Sequence, residues 1–240
     1  FGDYVKFGVT ANQSEEEAEE SSLNAADITL RKSANTWLKV EGSQSEGAST
    51  DTFYSIDGGY TFAGDTTSIT NDDNASAFRA DTSIALSDLF ASLPGKVTMY
   101  TQEVEGGYSA PGLNALTDTS NYGGTLTMPV TERIGLRAKS DKKTQKDGLE
   151  TAANELNVDY KLNENWTVSG GVRADTRKDN SVIVPATQEE GDRTDMRLQA
   201  AYDSKEDWTA YGFVQDTVET TGNRDENGRV GTGGSYRVSE

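Results

Sequence analysis

The chain has 240 residues, a formal net charge of −18 at pH 7, and neither cysteine nor histidine. The absence of these two residue types excludes thiol nucleophiles, imidazole bases, haem ligands, the usual zinc and copper sites and any disulfide scaffold. The negative charge argues against nucleic acid as a partner, because phosphate binding needs a concentrated basic surface.

Apolar and polar residues alternate along most of the chain, which is the period-two pattern of β-strands. The alternation begins at Phe1, Val5, Phe7 and Val9 and returns near residues 26–30, 54–62 and 78–86. In the second half it is clearest at residues 122–130, 156–162 and 166–174. No run of about 20 apolar residues occurs, which excludes a transmembrane helix, but a membrane-spanning strand needs only about 9–11 residues with every second one apolar.

Short and long connections alternate between these predicted strands. The short connections are residues 32–35, 63–65, 131–133, 163–165 and 204–207. The long polar segments are residues 12–24, 107–120, 140–152, 177–192 and 219–228. If a weak strand near residues 66–71 is included, the pattern predicts about 14 strands in simple up-and-down order, with tight turns at one end and long charged loops at the other.

Aromatic residues recur beside the short turns. The stretches "YKLNENWT" and "YDSKEDWT" repeat a tyrosine, a turn with a glutamate and then Trp-Thr. Amphipathic rings at one level are typical of the aromatic girdle of a membrane β-barrel. The predicted girdle consists of Trp37, Tyr60, Tyr160, Trp166, Tyr202, Trp208 and Tyr236, with the turn glutamates Glu132, Glu164, Glu206 and Glu240 just beyond it.

In its glycine-rich alternating strands, aromatic girdle and asymmetry of turns and loops, the chain resembles the barrel regions of large Gram-negative outer-membrane proteins. The resemblance implies an all-β fold, an antiparallel up-and-down transmembrane β-barrel, formed by residues 1–240 as a single region in the outer membrane. Because the chain ends at "YRVSE", where a turn is expected, the polypeptide is expected to continue. A soluble β-sandwich, a β-solenoid and a surface adhesin are the alternatives to this fold.

If the apolar face meets lipid, the opposite face lines a lumen. Charges of both signs on that face can orient or select ions in a water-filled pore, or they can form an ion-pair network that holds the wall together. The predicted lumen-facing charges are Arg137, Lys139, Asp159, Lys161, Arg173, Asp175, Arg197, Asp203, Arg229 and Arg237.

Two acidic segments and one loop are candidates for binding divalent cations. Glutamates cluster at residues 15–20 and aspartates at residues 72–73, although runs of this kind are usually solvated loop tips. Asn223, Asp225, Asn227 and Gly228 match the opening of a calcium loop. Gly234 occupies the position of the closing glutamate in such a loop, so an ordinary loop without a metal is the preferred interpretation.

No enzymatic signature is present. Triads that need histidine are impossible and no "SxxK" occurs, so the chain is predicted not to be an enzyme and to carry no cofactor. The leading hypothesis is a porin-like or translocation pore for polar solutes or polymer. The alternatives are a non-conducting barrel that anchors or displays surface domains and acidic loops, and a soluble extracellular β protein. The expected partners are the outer-membrane bilayer, periplasmic or surface proteins, and divalent cations at the acidic loops.

Overall fold

The computed structural model describes residues 4–16, 19–47, 52–54, 63–65, 74–110, 113–182, 184 and 188–238. Nearly all of the regular structure in these residues is β-strand, and one 3-10 turn lies at Leu86–Asp88. Within the described residues, no helix is long and apolar enough to cross a membrane. By contact density the chain divides into two compact units, residues 1–82 with 100–121, and residues 83–99 with 122–240.

The first unit contains a meander of long strands and four very short ones. The long strands are β1 (Val5–Glu16), β2 (Glu19–Arg31) and β3 (Trp37–Gly47). The short strands are β4 (Thr52–Tyr54), β5 (Ala63–Asp65), β8 (Ser109–Ala110) and β9 (Leu113–Asn114). Three further strands, β6 (Ala75–Ala85), β7 (Lys96–Val104) and β10 (Thr119–Pro129), have residues in both units.

The second unit carries the most regular hairpins. Its strands are β11 (Ile134–Gln145), β12 (Leu149–Lys161), β13 (Trp166–Asp179), β14 (Gly191–Asp203), β15 (Trp208–Thr220) and β16 (Arg229–Tyr236). Each pairs with the next in antiparallel register. One β-bulge interrupts this ladder, between Thr194 and Asp195 on β14.

The strand order matches the predicted up-and-down connectivity. In the described part of the chain the main sheet runs β1, β2, β3, β6, β7 and β10, and then β11 to β16 in sequence; β4–β5 and β8–β9 form separate two-stranded sheets. Among the described residues the main sheet therefore has twelve strands, whereas about 14 are predicted for the chain. The strand predicted at 54–62 and the weak one near 66–71 fall almost wholly outside the described residues. No described ladder joins β1 to β16, so closure into a barrel stays a prediction.

Two segments that the sequence predicts as long loops are strand extensions. Residues 12–24 belong mostly to β1 and β2, whose register continues to the pair Glu16–Glu19. Residues 140–152 are the ends of β11 and β12, joined by a tight turn in which Asp147 has φ 50°. The prediction was wrong because these extensions are polar on both faces, and a strand without an apolar face shows no alternation.

The four described short turns share one hydrogen-bonding pattern. In each, a side-chain oxygen at the start of the turn accepts two backbone N–H donors that follow it, as Ser, Thr and Asn commonly do in turns. The accepting residues are Ser33, Thr131, Asn163 and Ser204. The recurring glutamates Glu132, Glu164 and Glu206 are exposed at these turns. The repeated motif therefore encodes one type of turn, which closes successive hairpins in the same way.

The two faces of the ladder β11–β16 differ in chemistry. One face carries Glu155, Arg173, Asp195 and Gln215, and we call it the polar face. The register places these residues in neighbouring positions. The apolar face carries Leu156, Val158, Val172, Met196, Leu198 and Val214. Leu198 is 61% exposed, whereas Asp195 is only 4% exposed. The apolar face is thus left open, although large apolar side chains are usually buried in a protein folded in water.

Candidate functional site

The predicted lumen-facing charges gather on this polar face. All of them except Arg237 lie in β11–β16 at positions of matching register, and Arg237 directly follows β16. Asp175 has a nearly buried side chain, whereas Arg137, Arg173 and Arg197 are exposed. The alternation in the sequence was therefore sufficient to place these residues on one face.

A buried carboxylate organises the charges at one end of the polar face. Asp175 accepts a hydrogen bond of 2.7 Å from the Nη2 of Arg224. A guanidinium nitrogen of Arg173 and one of Arg193 each lie 3.6 Å from the other oxygen of Asp175. The side chain of Arg224 is only 3% exposed and that of Asp175 only 9%. The three arginines compensate the negative charge of Asp175, because a buried carboxylate without a partner would destabilise the fold.

The network extends to the neighbouring strands. The Nε of Arg193 lies 3.2 Å from a carboxylate oxygen of Asp195. The Asp195 carboxylate also accepts from the Thr217 hydroxyl at 2.7 Å and from the Asn227 amide at 3.2 Å. Asp195 therefore couples strands β14 and β15 to the loop that follows them.

The loop between β15 and β16 is docked onto the polar face rather than extended away from it. Arg224 inserts from this loop into the network around Asp175, and the Nη1 of Arg193 donates to the backbone carbonyl of Asp225 at 3.2 Å. The backbone N–H of Asn227 donates to the Thr217 hydroxyl at 2.8 Å. We call residues 221–228 the docked loop.

A second contact fixes the base of the docked loop. The backbone N–H of Asn223 donates to the carbonyl of Glu190 at 3.0 Å, and the Asn223 side-chain oxygen accepts from the N–H of Glu190 at 2.6 Å. Gly191 (φ 121°) and Gly222 (φ 69°) lie side by side, and each packs against the backbone of the residue that precedes the other. A Cβ on either glycine would therefore collide with backbone atoms. Glycine is required at this crossing by both its conformation and the close approach.

The residues of the predicted calcium loop are those of the docked loop, and they are used differently. Asn223 and Asn227 bond to protein groups, and Arg224 brings a positive charge to the centre. Across the described residues, no group of three or more acidic side chains is placed to hold a metal ion. The acidic positions 72–73 lie outside the described residues, as do the side chains of residues 15–20, so their cation binding stays a prediction.

In the first unit another connection packs onto a polar strand face. Tyr108, from the segment between β7 and β8, is 5% exposed, and its hydroxyl lies 2.7 Å from the Ser43 hydroxyl of β3. The backbone N–H of Ser109 donates to the Ser45 hydroxyl at 3.0 Å. Val104 and Ala115 complete a small apolar cluster around Tyr108. This connection is therefore also tied to the sheet by specific contacts.

Most of the predicted girdle forms a contiguous aromatic row. Trp166 and Tyr202 are cross-strand partners with ring centroids 5.0 Å apart, and the rings of Tyr202 and Trp208 are 4.9 Å apart. Trp208 in turn pairs with Tyr236. Tyr160 pairs with Val168 on the same face, two positions beyond Trp166. The row lies where the strands meet the short turns, as the sequence predicts.

Two predicted girdle members do not join this row. Trp37, in the first unit, pairs with Arg31 and has the parity of Lys39 and Glu41 on its own strand. It is therefore on the charged face of β3 and not on the face of Leu38. The prediction used only the position of Trp37 next to a turn, which does not determine the face of the strand. Tyr60 lies outside the described residues.

Sequence reasoning missed several members of the polar face. Arg193 and Asp195 have the same parity as Arg197, so extending the alternation backwards along β14 would have found them. Phe213 and Tyr211 are also on the polar face, where their rings cover Gly231 and Gly233 of β16. No local signal identifies Arg224, because its role depends on how the docked loop folds.

Comparison with known proteins gives distant structural similarities. No protein-family model matches the chain, and no curated protein does. An outer membrane channel from Pseudomonas putida F1 superposes with a TM-score of 0.45 and 10% identity, covering 98% of this chain and 92% of the channel. The NanC porin gives 0.43 and 12%, with 98% and 100% covered. The KdgM porin in complex with disordered oligogalacturonate gives 0.37 and 12%, with 95% and 97% covered.

Proposed function

We propose that the chain forms a porin-like pore for polar solutes in the outer membrane of a Gram-negative bacterium. In this proposal the sheet closes into a barrel, the apolar face contacts lipid and the polar face lines a passive water-filled path. No catalytic step is part of the proposal.

The observation that carries the proposal is an apolar face that lies open along neighbouring strands, opposite a face that carries the charges. On the apolar face Met196 and Leu198 are 49% and 61% exposed, while Asp195, which precedes Met196 and lies on the other face, is 4% exposed and ion-paired. Contiguous exposed apolar surface on this scale marks an interaction surface, and a lipid bilayer is the partner that suits alternate residues along many neighbouring strands. From the aromatic row the apolar residues of β13 extend from Trp166 to Ala174, a length suited to the about 9–11 residues of a spanning strand.

The docked loop supports the proposal of a pore that is narrowed by a loop folded onto its wall. Long loops that fold onto the lumen wall narrow a pore and bring charges to its narrowest part. Residues 221–228 supply such a loop in the second unit, and the contacts of Arg224 hold it on the polar face. Selectivity is then expected to depend on the charges that this loop and the wall present.

Single-channel recording in a planar bilayer tests the proposal. Purified protein refolded in detergent should insert and give stable conductance steps. Insertion without conductance would contradict the pore and favour the non-conducting barrel, which anchors or displays other domains. Protein that stays folded and monomeric without detergent, and does not insert, would favour the soluble alternative.

A further inference from the structure

A hollow interrupts the apolar face of strands β12 to β15. Its volume is about 420 Å³, which is within the range of about 300–1,000 Å³ that is usual for sites of small molecules. We call it the Gly170 hollow, because this glycine lies among the large apolar side chains that surround the space. Those side chains include Leu156, Val158, Val172, Leu198 and Val214.

The backbone of β13 does not require a glycine at position 170. The register with both neighbouring strands is continuous there, and Gly170 does not have a positive φ. Apart from adjacent residues, the nearest atom to a Cβ at this position is the Cδ2 of Leu198, at 3.6 Å. Glycine inside a strand marks a bulge, a bend or the close approach of another molecule. Because no bulge and no crowding are found here, the glycine leaves space that an outside molecule can enter.

The distance from the aromatic row places the hollow at the depth of lipid acyl chains. Gly170 follows Trp166 by four residues on β13, which is about 13 Å along the strand. A strand tilt of about 40° reduces this to about 10 Å along the membrane normal. One leaflet of the hydrocarbon core is about 15 Å thick. The hollow therefore faces the acyl chains of the leaflet on the side of the short turns.

Small residues connect the hollow with the aromatic row. Ala200 and Gly212 are cross-strand partners, and Ala200 lies on β14 between Leu198 and Tyr202. A Cβ at Gly212 would meet nothing closer than 3.8 Å. An acyl chain in the hollow can thus follow the wall to the level of the rings, where lipid headgroups begin.

The charges next to the aromatic row distinguish between headgroups. Glu164, Glu206 and Asp207 are exposed in the two turns that precede Trp166 and Trp208. Among the described residues, no ion pair involves these three carboxylates, whereas Lys205 in the same segment is paired with Asp203. Unpaired carboxylates attract an ammonium group and repel an anionic headgroup.

We propose that the Gly170 hollow binds an acyl chain of a phospholipid whose headgroup carries an ammonium group, which lies beside Glu164 and Glu206. The proposal rests on the proposed function, because it takes the apolar face to be inside the membrane. It adds a defined lipid site to that face. A second copy of the chain is the competing occupant, and the oligomeric state distinguishes it from a lipid.

The test is native mass spectrometry of the detergent-solubilised protein, titrated with phosphatidylethanolamine or phosphatidylglycerol of equal chain length. The wild type should bind one phosphatidylethanolamine saturably, and at a lower concentration than phosphatidylglycerol. Gly170→Val fills the hollow with a residue that suits a strand, and should weaken binding about tenfold because the acyl chain loses apolar contacts. Ala174→Val is the matched control, since it adds bulk to the same face of β13 outside the hollow and should leave binding unchanged.

A second variant tests the headgroup contact. Glu164→Gln/Glu206→Gln should still bind one lipid, but with similar affinity for phosphatidylethanolamine and phosphatidylglycerol. Equal affinity of the wild type for the two lipids would contradict the role of the carboxylates. Equal binding by the wild type and Gly170→Val, or binding without saturation, would overturn the site. Wild-type dimers that disappear in Gly170→Val would assign the hollow to a second copy.

Single-channel recording separates this inference from the pore itself. Lipid binding that is lost in Gly170→Val, in a protein that inserts without conducting, keeps the site and contradicts the pore. Stable conductance without saturable lipid binding contradicts the site alone. A protein that stays folded without detergent and does not insert contradicts both. Circular dichroism of every variant confirms that the fold is kept.

Discussion

Arg224 and Asp175 form the innermost ion pair of the second unit, joining the docked loop to strand β13 across 2.7 Å with both side chains almost fully buried. The pair connects residues that are far apart in the chain, and it is the contact by which a polar loop becomes part of the wall. Asp175 keeps two other arginines nearby, so loss of Arg224 weakens the attachment of the loop without leaving the carboxylate uncompensated.

We therefore expect Arg224→Gln to release the docked loop. The loss of this buried charge-assisted contact should cost about 1–3 kcal/mol of local stability, raise single-channel conductance and expose residues 221–228 to proteases. Asp225→Asn is the control, because Asp225 uses its backbone carbonyl in the docking contact with Arg193. Unchanged conductance and proteolysis in Arg224→Gln would show that the other contacts of the loop hold it in place.

A second prediction concerns the aromatic row. Tryptophan fluorescence should be quenched more by lipids brominated near the headgroup than by lipids brominated near the chain ends, because Trp166 and Trp208 lie at one end of the apolar face. The depth dependence should persist in Trp37→Phe, since Trp37 lies on the charged face of β3. Equal quenching at both depths in Trp37→Phe would rule out an interfacial row.

The third prediction concerns the rings that cover glycines on the polar face. A Cβ on Gly231 would collide with the Phe213 ring, so Gly231→Ala should destabilise the protein by about 1–3 kcal/mol. Gly212→Ala, in the facing strand, meets nothing closer than 3.8 Å and should be nearly neutral. Unfolding in urea from detergent measures both. If Phe213→Ala does not relieve the cost of Gly231→Ala in a double-mutant cycle, the ring is not its cause.

A fourth prediction follows from an ion pair in the strand extensions, beyond the apolar part of the face. The hydrogen bond from Lys142, 2.6 Å away, lowers the pKa of Glu150 and raises the pKa of Lys142. The contribution of Glu150 to stability is thus complete above its ordinary pKa and disappears as the pH falls through the lowered pKa. That of Lys142 is complete below its ordinary pKa and disappears as the pH rises through the raised one.

Carboxyl NMR of protein labelled at glutamate measures the titration of Glu150. Lys142→Gln should return the Glu150 pKa towards its ordinary value. Lys178→Gln should change it less, because Lys178 is the weakest of the influences on this carboxylate. A Glu150 pKa that does not respond to Lys142→Gln would mean that the two side chains are not paired in solution.

The parts of the fold that could be predicted from sequence are those where a single residue pattern determines the outcome. Alternation places Arg173 and Arg197 on one face and Val172 and Leu198 on the other because strand geometry allows no other arrangement. In "YGFV", at residues 211–214, four consecutive apolar residues carry no alternation, and only the register with the neighbouring strands β14 and β16 assigns Phe213 to the polar face. The position of Arg224 depends on contacts with residues far away in the sequence, which local patterns do not contain.

The central claim, that the open apolar face meets lipid while the polar face meets water, is tested most directly by cysteine labelling. The chain has no cysteine, so Leu198→Cys, Gln199→Cys and Ala200→Cys each place a single thiol on neighbouring positions of β14. In liposomes, a water-soluble maleimide should label position 199 and leave positions 198 and 200 unmodified, although Leu198 is 61% exposed in the protein alone. Rapid labelling at 198 and 200 together with protection at 199 would contradict the account.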